Sequence, residues 1–487
     1  MRVITPDIES SSSTVSTAAA DEFGRIEARG IDYIPPNERH GHPRGLFLVW
    51  ASANVNFLYV VLGGLLILFG LSLWQALAVV VVGNLFWAAI GLLAITGPVS
   101  GSPSGVINRS MFGVVGNRLN MALLNWPIFI AYEAVNLALG ALAGFALADQ
   151  LGFSANPPVQ IVIVAVTAAV TVTISVYGHA TIVRMSGLFT VALTVVMVML
   201  GACVLNHADW GYVPPVESAP AGWAVVATMT AGVTVIAAAP LSWGISADYA
   251  RYLPADTSRL QVAAWTALGG FVPAVLLGAV GVLAGTVIDM TDPQTALAQI
   301  LPSWAYAAFL LFVVLGCMTN NILTMYSSGL CLQAIGVPLR RAVTVLIDGL
   351  LGVTLALYAL FVANFTDALS TTLELTVVLL GPAIAVYSAD VLLRRNRYDG
   401  GELNDVTPAG PFWFSRGWNI AGFSAIGAGA FAAALCVNTT PYQGPISAAL
   451  DGADLSAVVG PLVAVAVYVA MTRLLYPGHI VRRDVTA

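Results

Sequence analysis

The chain has 487 residues, 58% of them hydrophobic and only 9% charged, with a formal net charge of −6. That balance excludes a water-soluble globular protein and calls for many membrane spans of about 20 apolar residues each. The negative charge is spread over the whole chain, so no nucleic-acid partner is expected.

Residues 1–45 are polar, with Ser10–Ser13, acidic residues and prolines. They hold no apolar core with a cleavage site, so no secretory signal peptide is expected, and they read as a largely disordered tail. Twelve apolar segments follow, at 46–70, 75–96, 119–149, 158–178, 186–205, 223–247, 262–288, 304–328, 341–363, 368–393, 418–437 and 455–475.

Span 1 contains Trp50–Tyr59, with Ser52, Asn54 and Asn56 at mid-membrane depth. Polar groups there must bond within the protein or face a wet cavity. Asn54 and Asn56 are about 200° apart on a helix, so one straight helix cannot aim both inward. A helix broken at mid-membrane is the expectation. Span 2 contains Gly83-Asn84, and the loop after it carries Gly97-Pro98, Gly101, Pro103, Arg109, Phe112-Gly113 and Gly116-Asn117.

On span 3, Asn125, Phe129, Tyr132, Glu133, Asn136 and Gly140 recur at helical spacing. A carboxylate near the midplane costs several kcal/mol unless partnered, so Glu133 is expected to face a cavity or to be protonated. Span 6 has Ala237-Ala238-Ala239-Pro240 near its middle, where proline removes a helix hydrogen bond and predicts a second break. It exits through Asp248-Tyr249-Ala250-Arg251-Tyr252-Leu253-Pro254, where Asp248 and Arg251 are spaced to pair. On span 8, Gly316, Asn320 and Thr324 form a stripe, with Thr319 and Asn321 beside it and Tyr326-Ser327-Ser328-Gly329 beyond. Asp348 on span 9 and Asp390 on span 10 lie near helix ends and read as structural.

The chain contains no lysine, and its 19 basic residues are all arginines. With the N-terminus inside, every arginine falls on the cytoplasmic side of the twelve spans. The outer loops carry Asp149, Asp209, Glu217, Asp289, Asp292, Asp367, Asp451 and Asp454 instead. This follows the positive-inside rule without exception and puts both termini in the cytoplasm.

The four cysteines (Cys203, Cys317, Cys331, Cys436) sit in apolar segments and read as packing residues. The five histidines (His40, His42, His179, His207, His479) form no metal-ligand spacing, which argues against a membrane enzyme. Repeated pore loops and charge rings are absent, which argues against a channel.

Ile26-Glu27-Ala28-Arg29-Gly30-Ile31-Asp32 before span 1, the Asp-Tyr-x-Arg-Tyr-Leu-Pro exit of span 6 and the span-8 Asn320-Asn321…Tyr326-Ser327 run, in that order, resemble the nucleobase:cation symporter-1 family. The resemblance is to its purine–cytosine permease branch, over roughly residues 26–476. It implies an all-α polytopic membrane protein with a 5+5 inverted repeat of the LeuT type and two accessory helices. The first repeat would be 46–205 and the second 206–393. A loop with spans 11 and 12 would fill 394–475, and a cytoplasmic tail 476–487.

The resemblance further implies a substrate site between broken helices 1 and 6 and helices 3 and 8, with Asn56, Tyr132, Glu133, Asn136, Ala239, Asn320, Asn321 and Thr324 as candidate contacts. The chemistry suits a flat heterocycle. An aromatic ring stacks on it for about 0.5–1.5 kcal/mol, and amides match the donors and acceptors on its edge. Glu133 departs from the family pattern of an uncharged, often aromatic residue.

A cation site would take the Ser52 and Val55 carbonyls, with Leu315, Met318 and Thr319 from span 8. Met318 stands where sodium-coupled members place a hydroxyl, and a thioether is a poor sodium ligand. Sodium and proton coupling, the latter through Glu133 or Asp348, therefore both stay open. The expected function is import of cytosine or a purine by cation symport across the plasma membrane. The alternative is a hydantoin, allantoin, uracil or a pyridoxine- or thiamine-like vitamin, coupled to protons. Beyond the coupling ion, no cofactor and no obligate protein partner is expected.

Overall fold

The computed structural model describes residues 21–217, 219–362, 365–439 and 442–480. The first 20 residues of the expected N-terminal tail and residues 481–487 of the C-terminal tail lie outside the described residues. The architecture is helical. Ten helices are long and apolar enough to cross a bilayer, or eleven with one bent pair counted as a span.

That pair is α1 (Arg44–Asn54) and α2 (Leu58–Leu68), bent by 58°. The break expected in span 1 is there, and its local chemistry explains it. Asn54 folds its amide back onto the Trp50 carbonyl at 2.7 Å and accepts from the Tyr59 hydroxyl at 2.6 Å. Asn56 accepts from the Leu58 amide at 2.9 Å, satisfying a free N–H at the start of α2. The two asparagines thus stabilise the ends of separate helices.

The chain continues through α3 (Leu73–Ser100), α4 (Val114–Gln150), α5 (Pro157–Tyr177), α6 (His179–His207) and α7 (Trp223–Leu241). A short α8 (Ala247–Ala250) follows. The break in span 6 is displaced from the sequence reading: Pro240 sits in the last turn of α7, and the chain leaves the helix after Leu241. Next come α9 (Arg259–Gly285), α10 (Ser303–Ile335), α11 (Arg341–Phe361) and α12 (Leu369–Leu393). The last two of the predicted apolar segments hold α13 (Ile420–Cys436), which is shorter than a typical span, and α14 (Ser456–Leu475).

Two groups of helices form the body. The broken helix α1–α2 packs along α9, and α3 packs on α7. The other group is α4 with α10, each flanked by α5 and α11. Close backbone approach fixes the first group. A Cβ on Gly63 would lie 2.0 Å from the Gly278 carbonyl oxygen, and one on Gly281 2.0 Å from that of Val60. Without an aqueous driving force between helices, such small-residue contacts supply the packing.

Residues 21–43 correct the expectation of a disordered tail. Glu27, Ile34 and Arg39 are buried. The Glu27 amide donates to the Tyr177 carbonyl at 3.0 Å, and the Ile34 amide to that of Gly101 at 2.8 Å. Polar composition suggested disorder, but these side chains and backbone groups find partners at the helix ends.

The expected Asp248–Arg251 pair is also corrected. Asp248 accepts from the Ser104 amide at 2.7 Å. Arg251 reaches Glu27 instead, at 2.7 Å. Spacing permits a local pair, but the long guanidinium stem reaches a partner 224 residues away. Asp390 is structural, as read from sequence: it accepts from Ser110, Arg394, Tyr398 and Tyr468.

Candidate substrate site at the helix breaks

A cavity lies where α2 begins and α7 ends, closed on the other sides by α4 and α10. It is lined by Asn56, Leu58, Tyr59, Phe129, Tyr132, Asn136, Ala239, Ser242, Trp243, Asn320 and Thr324. Six of the eight expected substrate contacts are among them. Its volume is about 20 Å³, room for about one water molecule. The walls must separate before a planar ring could enter.

Its polar wall is a chain of amides. Asn56 Nδ2 donates to Asn136 Oδ1 at 3.4 Å, and Asn136 Nδ2 donates to Asn320 Oδ1 at 3.0 Å. Asn320 Nδ2 in turn donates to the Ala53 carbonyl at 3.0 Å, beside the break. Three helices therefore meet through three side chains that each hold both a donor and an acceptor. Thr324 donates to the Asn320 carbonyl at 3.1 Å and lies one turn along α10.

The apolar walls are aromatic. Tyr132 donates its hydroxyl to the Ala238 carbonyl at 3.4 Å and accepts from Thr376 at 3.2 Å, which ties α4 to α7 and α12. Trp243 is 5% exposed, and its ring meets Trp50 edge-on at 5.2 Å. Tyr59 and Trp243 escaped the sequence reading. A signal existed for Trp243, which stands three residues after Pro240, where the chain leaves the helix and can turn a side chain toward the cavity.

Glu133 and Asn321, the other two expected contacts, do not line this cavity. On an α-helix the next residue is turned by about 100°. With Tyr132 and Asn320 facing the cavity, Glu133 and Asn321 face away from it. Asn321 donates to the Glu133 carbonyl at 2.9 Å. A Cβ on Gly352 would lie 3.0 Å from Glu133 Oε2, so this carboxyl points at α11.

The five residues expected at a cation site come together only in part. The Thr319 hydroxyl donates to the Ser52 carbonyl at 2.7 Å and lies 2.9 Å from that of Gly316. Ser52 and Thr319 line a small cavity with Ser186 and apolar residues of α5, α6 and α10. Val55, Leu315 and Met318 do not line it. The Val55 carbonyl turns to Gly316, where a Cβ would sit 3.0 Å away. Of the five, the Ser52 carbonyl and the Thr319 hydroxyl are the pair in direct contact.

A second polar constellation closes the end of the bundle where the arginines gather. Glu27 accepts from Arg251 Nη2 and the Tyr252 hydroxyl, each at 2.7 Å, and from the Tyr326 hydroxyl at 3.2 Å. The His179 amide adds a bond at 3.0 Å, and Arg341 approaches to 3.5 Å. Beside it, Asp21 meets His179 at 2.7 Å and His40 at 3.5 Å. Burial would push the Asp21 carboxyl up, but hydrogen bonds from His179 and His40 outweigh it and hold Asp21 well below the usual carboxylate range. The hydrogen bond to Asp21 raises the His40 imidazole above its ordinary value.

Comparison with known proteins places this geometry among transporters. The family model for permeases of cytosine/purines, uracil, thiamine and allantoin matches residues 33–460. A putative purine–cytosine permease of Bacillus subtilis is 26% identical over 471 residues, covering 92% of this chain and 96% of its own. The vitamin B6 transporter of Saccharomyces cerevisiae is 25% identical over 342 residues, 63% of this chain and 55% of its own. Among solved structures, Mhp1, a nucleobase-cation-symport-1 family transporter with bromovinylhydantoin bound, aligns with a TM-score of 0.73 at 18% identity. That alignment covers 92% of this chain and 96% of Mhp1.

Proposed function

The chain belongs to the permease family for cytosine/purines, uracil, thiamine and allantoin, and from that premise we propose that it imports a nucleobase, cytosine or a purine, by cation symport with alternating access. It is a multi-pass membrane transporter of small heterocycles, not an enzyme. The observation that carries the substrate reading is the amide chain Asn56–Asn136–Asn320 between the aromatic walls of Tyr132 and Trp243. A base inserted there would exchange amide–amide bonds for bonds to its own edge and stack on the flanking rings. A mismatched edge would leave a buried amide unpaired, at about 1–3 kcal/mol.

The topology we propose is twelve spans in the plasma membrane, both ends and the arginine-rich face cytoplasmic, with five-helix repeats at 46–205 and 206–393. The helix packing supports the repeat. Exchanging each span with its counterpart in the other repeat (1 with 6, 2 with 7, 3 with 8, 4 with 9) turns the contact of spans 2 and 6 into that of spans 7 and 1. It likewise turns the contact of spans 4 and 8 into that of spans 9 and 3. Alternating access would then rock the group containing α1, α3, α7 and α9 against that of α4, α5, α10 and α11. One cation entering down about 100 mV supplies roughly 2.3 kcal/mol, enough for some fifty-fold accumulation of a neutral base by the ~1.4 kcal/mol-per-decade rule.

The second reading is a related heterocycle, such as a hydantoin or a pyridoxine-like vitamin, carried with a proton. Met318, the residue before Thr319, offers a thioether where a sodium ion would need an oxygen, which favours proton coupling. Uptake of radiolabelled bases in a strain lacking its own permeases, with a heterocycle panel as competitors and with and without sodium, decides between them. If no base competes and a vitamin does, the nucleobase assignment fails.

A further inference from the structure

Behind the substrate cavity, on other faces of the same two helices, lies a polar cluster that is not part of the cavity lining. Glu133 is 0% exposed, and neither of its carboxyl oxygens has a hydrogen-bond partner among the described residues. Asp348 is also 0% exposed; its Oδ1 accepts from Trp126 Nε1 at 2.7 Å, and its Oδ2 has no partner. The Ser328 hydroxyl and Asn321 Oδ1 are buried and unpartnered as well. Glu133 Oε2 points at Gly352, one helical turn along α11 from Asp348. Asp348 is near enough for its charge to act on Glu133, and Ser328 lies near both carboxyls.

Two buried carboxylates within reach of each other's charge, with a single hydrogen bond from Trp126 to Asp348 as their whole share of partners among the described residues, cannot both stay ionised: an unpaired buried charge costs several kcal/mol. Among the described residues, no cation forms an ion pair with Glu133 or Asp348. Glu133's own helix α4 carries Tyr132 beside it and, toward its two ends, the exposed Arg118 and Asp149. Around it, α5 carries only Tyr177, at its far end, and α10 carries Tyr306, Cys317, Tyr326 and Cys331. On α12, Glu374, Tyr387 and Asp390 are further acids; on α11, besides Asp348 and Tyr358, Arg341 is the single base. Arg341 is held elsewhere, donating to the Ser175 and Val176 carbonyls and approaching Glu27. The species that satisfies this cluster is a proton.

We propose that Glu133 and Asp348 form the binding site of the coupling proton, a deepening of the symport reading on which it rests. Loading forms one O–H bond on a carboxylate oxygen; unloading breaks it on the opposite side of the membrane and leaves the carboxylate behind. One positive charge moves with the substrate. The coupling is mechanical. Glu133 follows Tyr132 on α4, and Asn321, which donates to the Glu133 carbonyl, follows Asn320 on α10. A small rotation of either helix changes the substrate wall and the proton site together.

The test uses the full chain in proteoliposomes with a pH-sensitive dye inside. The probe is whichever of cytosine, hypoxanthine, hydantoin and pyridoxine shows counterflow exchange. An inside-alkaline gradient is expected to drive accumulation of that probe in sodium-free buffer, with dye acidification. Glu133→Gln and Asp348→Asn are expected to keep counterflow and lose at least tenfold of the pH-driven accumulation, while Glu133→Asp retains part of it. Infrared difference spectra after a pH jump are expected to show a protonated-carboxyl band that Glu133→Gln removes. This readout needs no substrate and no active variant beyond a folded one. Accumulation by a sodium gradient alone in the wild-type protein, or undiminished pH-driven accumulation in both amide variants, overturns the proposal. If no probe exchanges, the nucleobase reading falls, and the infrared band still decides the fate of the proton site.

Discussion

Arg251 donates through Nη2 to Glu27 Oε1 at 2.7 Å, with both side chains buried. The bond joins the motif before α1 to the motif that follows α7, and Tyr326 adds the third motif from α10 at 3.2 Å. Three stretches scattered over 300 residues of sequence are thus one object in space. It pins the segment before α1 across the ends of α5, α6, α8, α10 and α11.

Breaking this pair from either side is expected to be costly, because the survivor is left as an uncompensated buried charge, at about 3–5 kcal/mol. Glu27→Gln and Arg251→Gln should each lower the unfolding temperature in detergent. The double variant should lose less than the sum, by a coupling of about 1 kcal/mol or more in a double-mutant cycle. Strict additivity of the two losses would show that the bond does not stabilise the closed end.

The docked segment should respond to pH through Asp21 and His40. The His40 pKa is raised by Asp21, so its contribution is fully present below the unfolded value of about 6.5. It is lost as pH rises through the higher folded value. The Asp21 carboxyl is depressed, so its contribution is present above about 3.9 and lost only as pH falls through the folded value. Docking is therefore expected to be firmest on the acid side of neutrality. Limited proteolysis of residues 21–40 should cut the wild-type segment faster at pH 8 than at pH 6, with a smaller difference between the two in His40→Gln.

The fold was legible where physics leaves few options. Long apolar runs separated by arginine-bearing loops admit little but spanning helices, and two asparagines at mid-membrane depth required a break. What escaped detection depended on rotation and reach. Glu133 and Asn321 are neighbours of pocket residues in sequence, but a helix turns them by about 100° to another face. The Arg251 partner was hidden because a buried guanidinium selects among carboxylates by geometry, and the correct one lies 224 positions away. The docked N-terminal segment was missed because its few buried residues are dispersed among polar ones.

Within the substrate cavity, the amide of Asn136 bridges Asn56 and Asn320, so it should matter most among the three. Asn136→Ala is expected to weaken substrate binding by about tenfold to a hundredfold, the equivalent of about 1–3 kcal/mol for an unpaired partner. Tyr132→Phe keeps the ring and should cost less than Tyr132→Ala. Equilibrium binding of a radiolabelled base to the purified protein measures each effect. An unaltered affinity in Asn136→Ala would remove the amide chain from the recognition surface.

Met318 offers the sharpest test of which cation the fold can bind. The Thr319 hydroxyl and Ser52 carbonyl already meet at 2.7 Å, and sodium needs further uncharged oxygens around it. A thioether at position 318 supplies none. Met318→Ser adds a hydroxyl of smaller volume on the same helix turn, at the cost of some packing from the lost methylthio group. If the site is otherwise competent, sodium should tighten substrate binding several-fold in Met318→Ser and leave the wild-type protein unchanged. If sodium tightens binding equally in both, position 318 is irrelevant to ion choice, and the oxygens that hold the ion must come from elsewhere on α1 and α10.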